Sequence, residues 1–143
     1  MRERSRARAW ALQVLYAWET RGGPVAARDV LAEFLSDRHI APASRDYLIR
    51  LVQAIDKHRE EIDRAVADAL TNWRPERLSV IDRNILRLGA AELIFIEDVP
   101  PKVSLQEAIR LAEKYGTADS PRFVNGVLDA LMRRAGAATG ESR

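Results

Sequence analysis

The sequence predicts an all-α protein, and two observations support this prediction. Apolar residues recur at three- and four-residue spacing along almost the whole chain of 143 residues. No segment shows the sustained two-residue alternation, rich in β-branched or aromatic residues, that is typical of strands. A chain of this length can bury a core of its own without disulfides or structural zinc, so we expect one compact domain.

The first helix is predicted from about Arg4 to Glu19, because one apolar stripe runs through it. Its members are Ala7, Trp10, Ala11, Val14, Leu15 and Trp18. Gly22, Gly23 and Pro24 end this helix. A short second helix carries Val30, Leu31, Phe34 and Leu35, and Ala41 and Pro42 mark the turn that follows it.

The segment from Ser44 to Trp73 contains neither glycine nor proline and carries the next apolar stripe. One long helix or two abutting helices would fit this pattern. The stripe loses its apolar members at Lys57, His58 and Arg59, so we place a bend there. Pro75 interrupts the pattern again.

Three further helices are predicted in the C-terminal half. The first carries Leu78, Ile81, Ile85, Leu88 and Phe95 and ends before Pro100 and Pro101. Ser104 and Glu107 form a predicted capping box for the second, which Gly116 ends as a left-handed residue. The third begins with Ser120 as N-cap and Pro121 at the first helical position. Residues 136–143 are predicted to form a flexible tail.

Composition and motifs argue against an enzyme. The chain has no cysteine and two histidines, which excludes cysteine chemistry and makes a multi-histidine metal site implausible. Phosphate-binding loops, dinucleotide-binding loops, nucleophile elbows and zinc-protease motifs are missing from the sequence. We therefore expect no catalytic residues, no metal and no cofactor. No apolar run reaches the length of a membrane span and no signal peptide is recognisable, so a cytoplasmic protein is expected.

Positive charge is concentrated at the amino terminus. Residues 1–8 contain four arginines and one glutamate, whereas the remainder is nearly balanced. Cations collected on one short segment suit a phosphate-bearing partner, although an ordinary disordered basic terminus would look the same. Arg4, Arg6 and Arg8 are the candidates on the first helix. Glu92 lies on the predicted apolar stripe between Leu88 and Phe95, where it needs a buried donor or access to solvent.

The start of the last helix is the second candidate site. Arg122, Phe123 and Asn125 place a cation, an aromatic ring and an amide within four residues. These groups can neutralise a phosphate, stack on a base and hydrogen-bond to a base edge, which are the contacts that single-stranded RNA offers. Phe123 in an amphipathic helix can equally be a core residue, and Asn125 can simply be solvated.

Several motifs together resemble the bacterial transcription antitermination factors of the NusB family. They occur in the family's order and spacing from about Arg2 to Met132. They are Arg4-x-Arg6-x-Arg8 followed by Ala11-Leu12-x-x-Leu15-Tyr16; Leu78-Ser79-Val80-Ile81-Asp82-Arg83-Asn84-Ile85-Leu86-Arg87 with Ala91-Glu92-Leu93; Pro100-Pro101-Lys102-Val103 with Glu107-Ala108-Ile109 and Ala112; and Phe123-Val124-Asn125-Gly126-Val127-Leu128-Asp129.

The resemblance implies about seven helices in two packed sub-bundles, about 1–58 and 59–135, forming one RNA-binding domain over 1–135. It implies binding to the boxA element of nascent ribosomal RNA together with the ribosomal protein NusE, as part of the RNA polymerase antitermination complex. By matching positions, Arg4, Arg6 and Arg8 would contact phosphates, and Arg122, Phe123 and Asn125 would line the RNA face with Asp119 at its margin. Tyr16 and Asp82 match positions near the NusE-binding surface.

Two other readings remain open from the sequence. The chain could be a structural helical homo-oligomer whose N-terminal arginines are merely solvated. It could also be an accessory RNA-binding domain related to the N-terminal domains of RNA methyltransferases. The resemblance itself leaves open whether the free protein is a monomer or a homodimer.

Overall fold

The computed structural model describes residues 2–70 and 78–138, and within them the chain forms seven helices and no strand. The all-α prediction is confirmed. The helices are α1 (Arg2–Arg21), α2 (Ala27–Asp37), α3 (Pro42–Lys57), α4 (Arg59–Ala69), α5 (Val80–Phe95), α6 (Pro101–Tyr115) and α7 (Ser120–Ala138). The predicted interruption at Pro75 lies outside the described residues. The predicted tail, 136–143, is wrong for residues 136–138, which continue α7 because alanine favours the helix, and its remainder lies outside the described residues.

Two predicted helix ends are confirmed. After α1, Gly22 and Gly23 have φ of 66° and 79°, a region that glycine enters without steric cost. Helices α3 and α4 meet at His58, where the bend was predicted. The His58 ring stacks on Phe95 with 3.9 Å between the ring centroids. This stacking ties the α3–α4 junction to the end of α5.

Helix α5 lies at the centre of the fold. It packs against α1, α3, α4, α6 and α7, and every residue from Asn84 to Glu92 is buried. Helices α1, α2 and α3 pack on one another, and α7 packs on α4, α5 and α6. The division into two sub-bundles at about residue 58 stays a prediction. A Cβ on Gly89 would lie 2.5 Å from Leu128 Cδ1, so α5 and α7 approach closely at this glycine.

The predicted capping box at the start of α6 is wrong. The helix begins at Pro101, three residues earlier than Ser104, because the fixed φ of proline favours the first helical position. Ser104 therefore lies inside the helix, where its Oγ is buried without a hydrogen-bond partner among the described residues. Glu107 turns to α1 and binds Arg8.

The predicted left-handed conformation of Gly116 is also wrong, since its φ is −93°. Glycine is required there for space, because a Cβ would lie 2.5 Å from Ser120 Cβ. Helix α7 starts at Ser120, one residue before the predicted start, and the Ser120 Oγ accepts a hydrogen bond from the Thr117 amide at 3.0 Å. The tight α6–α7 turn fixes where α7 begins.

Candidate nucleic-acid interface

The three N-terminal arginines have different environments, and Arg8 lies in the core. Its side chain is 5% exposed, its Nε donates to Glu92 Oε2 at 2.6 Å and its Nη1 donates to Glu107 at 3.1 Å. The expected phosphate contact of Arg8 does not fit this geometry, because the guanidinium would have to leave two carboxylates behind. The expected buried donor of Glu92 is confirmed.

Tyr47 completes the buried cluster around Glu92. Its hydroxyl donates to Glu92 Oε2 at 2.5 Å, and its ring lies under the guanidiniums of Arg4 and Arg8. Burial and then the hydrogen bond to Glu92 raise the pKa of Tyr47 far above its usual value. The phenol therefore stays a donor at any physiological pH, and the cluster holds the first turns of α1 against α3 and α5.

Arg4 lies at the surface but has a carboxylate partner. Its Nη2 is 3.0 Å from Asp98 Oδ2, and Arg50 Nη2 binds the other oxygen of the same carboxylate at 2.6 Å. Hydrogen bonds from Arg50 and then Arg4 hold the pKa of Asp98 far below its usual range. The side chains of Arg4 and Asp98 are 36% and 50% exposed, so a phosphate can reach this ion pair from solvent. Arg6 is exposed.

The expected α7 residues lie together on the first two turns of that helix. Asp119, Arg122 and Asn125 are exposed. Phe123 is half-buried and packs against the edge of the core, an intermediate position between the core and surface alternatives left open by the sequence. The Phe123 amide donates to the Asp119 carbonyl at 3.1 Å, which begins the helical hydrogen bonding.

An apolar cleft of about 260 Å³ lies beside the exposed ring of Tyr16. Its walls come from α1, α2, α5 and α6 and consist of Leu12, Gln13, Tyr16, Phe34, Ile81 and Tyr115. Asp82 follows Ile81 directly, and its amide donates to the N-cap oxygen of Ser79 at 3.0 Å. The two residues expected at the partner surface, Tyr16 and Asp82, therefore belong to one region of the fold.

A family model described as the NusB family matches residues 5–133, which is nearly the whole chain. The chain belongs to the NusB family.

Named relatives and solved structures of the NusB family agree with this membership. The transcription antitermination protein NusB of Trichlorobacter lovleyi is 44% identical over 128 residues, covering 90% of this chain and 89% of the relative. A structure of T. maritima NusB aligns with a TM-score of 0.81 at 35% identity, over 91% of this chain and 90% of that one. A crystal structure of NusB and NusE in complex with dsRNA aligns with a TM-score of 0.80 at 34% identity, over 94% and 98%.

Sequence reasoning missed Arg50 and Tyr47 at the amino-terminal end of this NusB-family fold. They lie one turn apart on α3. The Tyr47 ring packs against Arg4 and Arg8, and Arg50 shares the Asp98 carboxylate with Arg4. The available signal was weak, because a lone arginine three residues after a tyrosine fits any charged helix edge. Only the packing of α3 on α1 brings these side chains to Arg4.

Other kinds of site receive no support from the part of the NusB-family chain that the structure describes. No cluster of three or more histidine, aspartate or glutamate residues there could hold a metal ion. None of the described helices is long and apolar enough to cross a membrane.

Proposed function

We propose that this chain is a non-catalytic transcription antitermination factor that binds boxA RNA of nascent ribosomal transcripts together with NusE. Within the RNA polymerase antitermination complex, this binding promotes read-through of terminators. The observation that carries the proposal is the similarity, over 94% of the chain, to the crystal structure of NusB and NusE in complex with dsRNA. The family match over residues 5–133 and the relatives named as transcription antitermination proteins support it.

The proposed RNA face combines the surface arginines of α1 with the start of α7. Arg4 and Arg6 bind phosphates, and Arg4 exchanges the Asp98 carboxylate for a phosphate oxygen, which is likewise an anionic hydrogen-bond acceptor. Arg122, Phe123 and Asn125 contact the nucleotides at α7, with Asp119 at the margin. Arg8 has an indirect role, because its buried bonds to Glu92 and Glu107 hold the helix that carries Arg4 and Arg6.

The proposed NusE surface is the cleft beside Tyr16. Its walls are largely apolar, and the tyrosine ring is 44% exposed, so a partner side chain that enters the cleft removes apolar surface from water. Asp82 directly follows the wall residue Ile81 in sequence and supplies a negative charge to this region. A basic, partly apolar patch on the partner fits this chemistry.

The proposal is tested by fluorescence-anisotropy titration of a labelled boxA RNA and a scrambled control, with and without NusE, at two salt concentrations. We expect tighter and sequence-selective binding when NusE is present. The affinity should fall with salt by about 0.7 in log K per log unit for each phosphate neutralised. Equally weak binding to both RNAs, unaffected by NusE, would contradict the proposed function.

Replacing Phe123 with alanine should weaken RNA binding by about 1–3 kcal/mol if the half-buried ring stacks on a base. Phe123→Leu is the matched control, because it keeps an apolar side chain against the core while it removes the aromatic face. We expect both variants to lose affinity and the leucine variant to keep its melting temperature. A ring that serves only the core would give the opposite result, with the alanine variant strongly destabilised and its folded fraction binding RNA normally.

A further inference from the structure

Helix α6 carries a stripe of exposed polar and basic side chains on its outer surface. Its four members, at four-residue intervals, are Lys102, Gln106, Arg110 and Lys114, and all four are exposed. Side chains at this spacing lie on one side of a helix and advance about 6 Å per step, so the α6 stripe is about 18 Å long.

The α6 stripe connects the two ends of the proposed RNA face. Asp98, three residues before α6 begins, binds Arg4 near the start of α1. Glu107, in the middle of α6, binds Arg8 one turn further along α1. Tyr115, the last residue of α6, lines the same cleft as Tyr16. Helix α6 therefore follows α1 from its arginine end to its Tyr16 end.

The same path leads directly to α7. Asp119 is four residues beyond Tyr115, a distance of at most about 15 Å along the chain. The N-terminal arginines and the α7 residues are thus at opposite ends of α6. The outer surface of α6 is a direct route between the two groups for an RNA strand.

The cations of the α6 stripe are available to such a strand. Arg110 is 70% exposed, and its nearest carboxylate, Glu107, lies 3.9 Å away and is already bound to Arg8. In the part of the chain that the structure describes, no carboxylate lies within 4 Å of the ammonium group of Lys102 or Lys114. Some other surface arginines are held by acidic partners at 3.0 Å or less, as in Arg28–Asp56 and Arg50–Asp98.

Lys114 also has an aromatic neighbour. Its Nζ lies 5.4 Å from the centroid of the Tyr115 ring, which is exposed. A cation beside an exposed ring can hold a phosphate and offer a stacking surface for the adjacent base. The adjacent Glu113 is also exposed, and the positive charge of the stripe itself comes from Lys102, Arg110 and Lys114.

We propose that the α6 stripe is a phosphate-binding path, in which Arg110 and Lys114 hold the RNA backbone between the N-terminal arginines and α7. This inference rests on the proposed function and adds to it a class of contact, sequence-independent phosphate binding, at residues outside the expected site. Gln106 contributes an amide that can donate to a phosphate or a ribose oxygen. The path orients the strand, while Phe123 and Asn125 contact its bases.

The test is the double variant Arg110→Gln with Lys114→Gln, titrated with the same boxA and scrambled RNAs in the presence of NusE. Both residues are exposed, so the variant should fold with an unchanged melting temperature. We expect the slope of log K against log salt to become less steep by about 1.4, since each lost phosphate contact removes about 0.7. The affinity should fall by the same factor for both RNAs, because phosphates carry no sequence information.

The matched control is Lys57→Gln with Arg64→Gln, which removes two exposed charges from α3 and α4 instead. The inference is supported if the control keeps the wild-type slope. It is overturned if the α6 variant binds like the wild type, or if the control loses as much slope as the α6 variant. If the wild-type protein itself binds neither RNA, the proposed function and the phosphate path both fail. If the wild type binds normally and the α6 variant binds equally well, only the phosphate path fails.

Discussion

Replacing Glu92 with alanine is expected to lower the free energy of unfolding by about 3–5 kcal/mol, because it leaves a buried cation without its principal carboxylate. Glu92 is 2% exposed, and its Oε2 accepts from Arg8 Nε at 2.6 Å and from the Tyr47 hydroxyl at 2.5 Å. In the variant, Arg8 keeps only Glu107 among the carboxylates that contact it within the described residues, and the Tyr47 hydroxyl loses its acceptor. Chemical denaturation followed by circular dichroism measures the loss.

Two control variants separate charge from packing at this position. Glu92→Gln keeps an oxygen acceptor for Arg8 and Tyr47, so it should cost less than the alanine variant. The double variant Arg8→Met with Glu92→Leu removes both charges and fills the volume, and it should recover part of the stability. A Glu92→Ala variant as stable as the wild type would show that the Arg8–Glu92 pair contributes nothing to the fold.

The buried cluster of Arg8, Tyr47 and Glu92 shows what the sequence alone could not predict. The helical spacing of Arg4 and Arg8 correctly predicts that they share one side of α1. It does not say which arginine reaches solvent, because that depends on Glu92, which is 84 residues away in sequence. A buried arginine and a surface arginine have the same local pattern, and only the tertiary packing distinguishes Arg8 from Arg4.

Helix positions could be predicted better than helix ends. The apolar stripes located the helical segments of the described residues but left one long helix or two open for α3 and α4, while the loss of apolar side chains around His58 located their junction. The error at α6 arose because two start signals compete within four residues, and the proline at 101 prevailed over the serine at 104. At Gly116 the residue type suggested a left-handed backbone conformation. In the structure, glycine is needed because a side chain there would clash with Ser120.

Arg8 is buried whereas Arg4 and Arg6 reach the surface, and this difference has a functional consequence. Arg8 holds the first half of α1 through Glu92 and Glu107, and Glu107 belongs to α6. One buried side chain therefore fixes the position of α1, which carries Arg4 and Arg6, relative to α6, which carries the α6 stripe. Substitutions at Arg8 should weaken RNA binding through loss of this alignment and in proportion to the loss of stability.

Replacing Arg87 with alanine should lower the free energy of unfolding by about 3 kcal/mol, because a second, partly buried network depends on this side chain. Arg87 is 8% exposed, donates to Glu19 at 2.7 Å and binds Asp63 at 2.8 Å, so it joins α5 to α1 and α4. Its guanidinium also lies 5.1 Å from the Trp18 ring centroid. Thermal and denaturant unfolding of the variant measure the effect.

Arg83→Ala is the matched control, since Arg83 binds the same Glu19 at 2.8 Å but has a side chain that is 34% exposed. Solvent screening should reduce its cost to about 1 kcal/mol or less. Equal losses for the two variants would contradict a special role for Arg87.

Glu19 lies one turn beyond Tyr16 on α1, so the Arg87 network also supports the helix that forms one wall of the apolar cleft. If the Tyr16 cleft binds NusE, Arg87→Ala should weaken that partner more than Arg83→Ala does, even where both proteins remain folded.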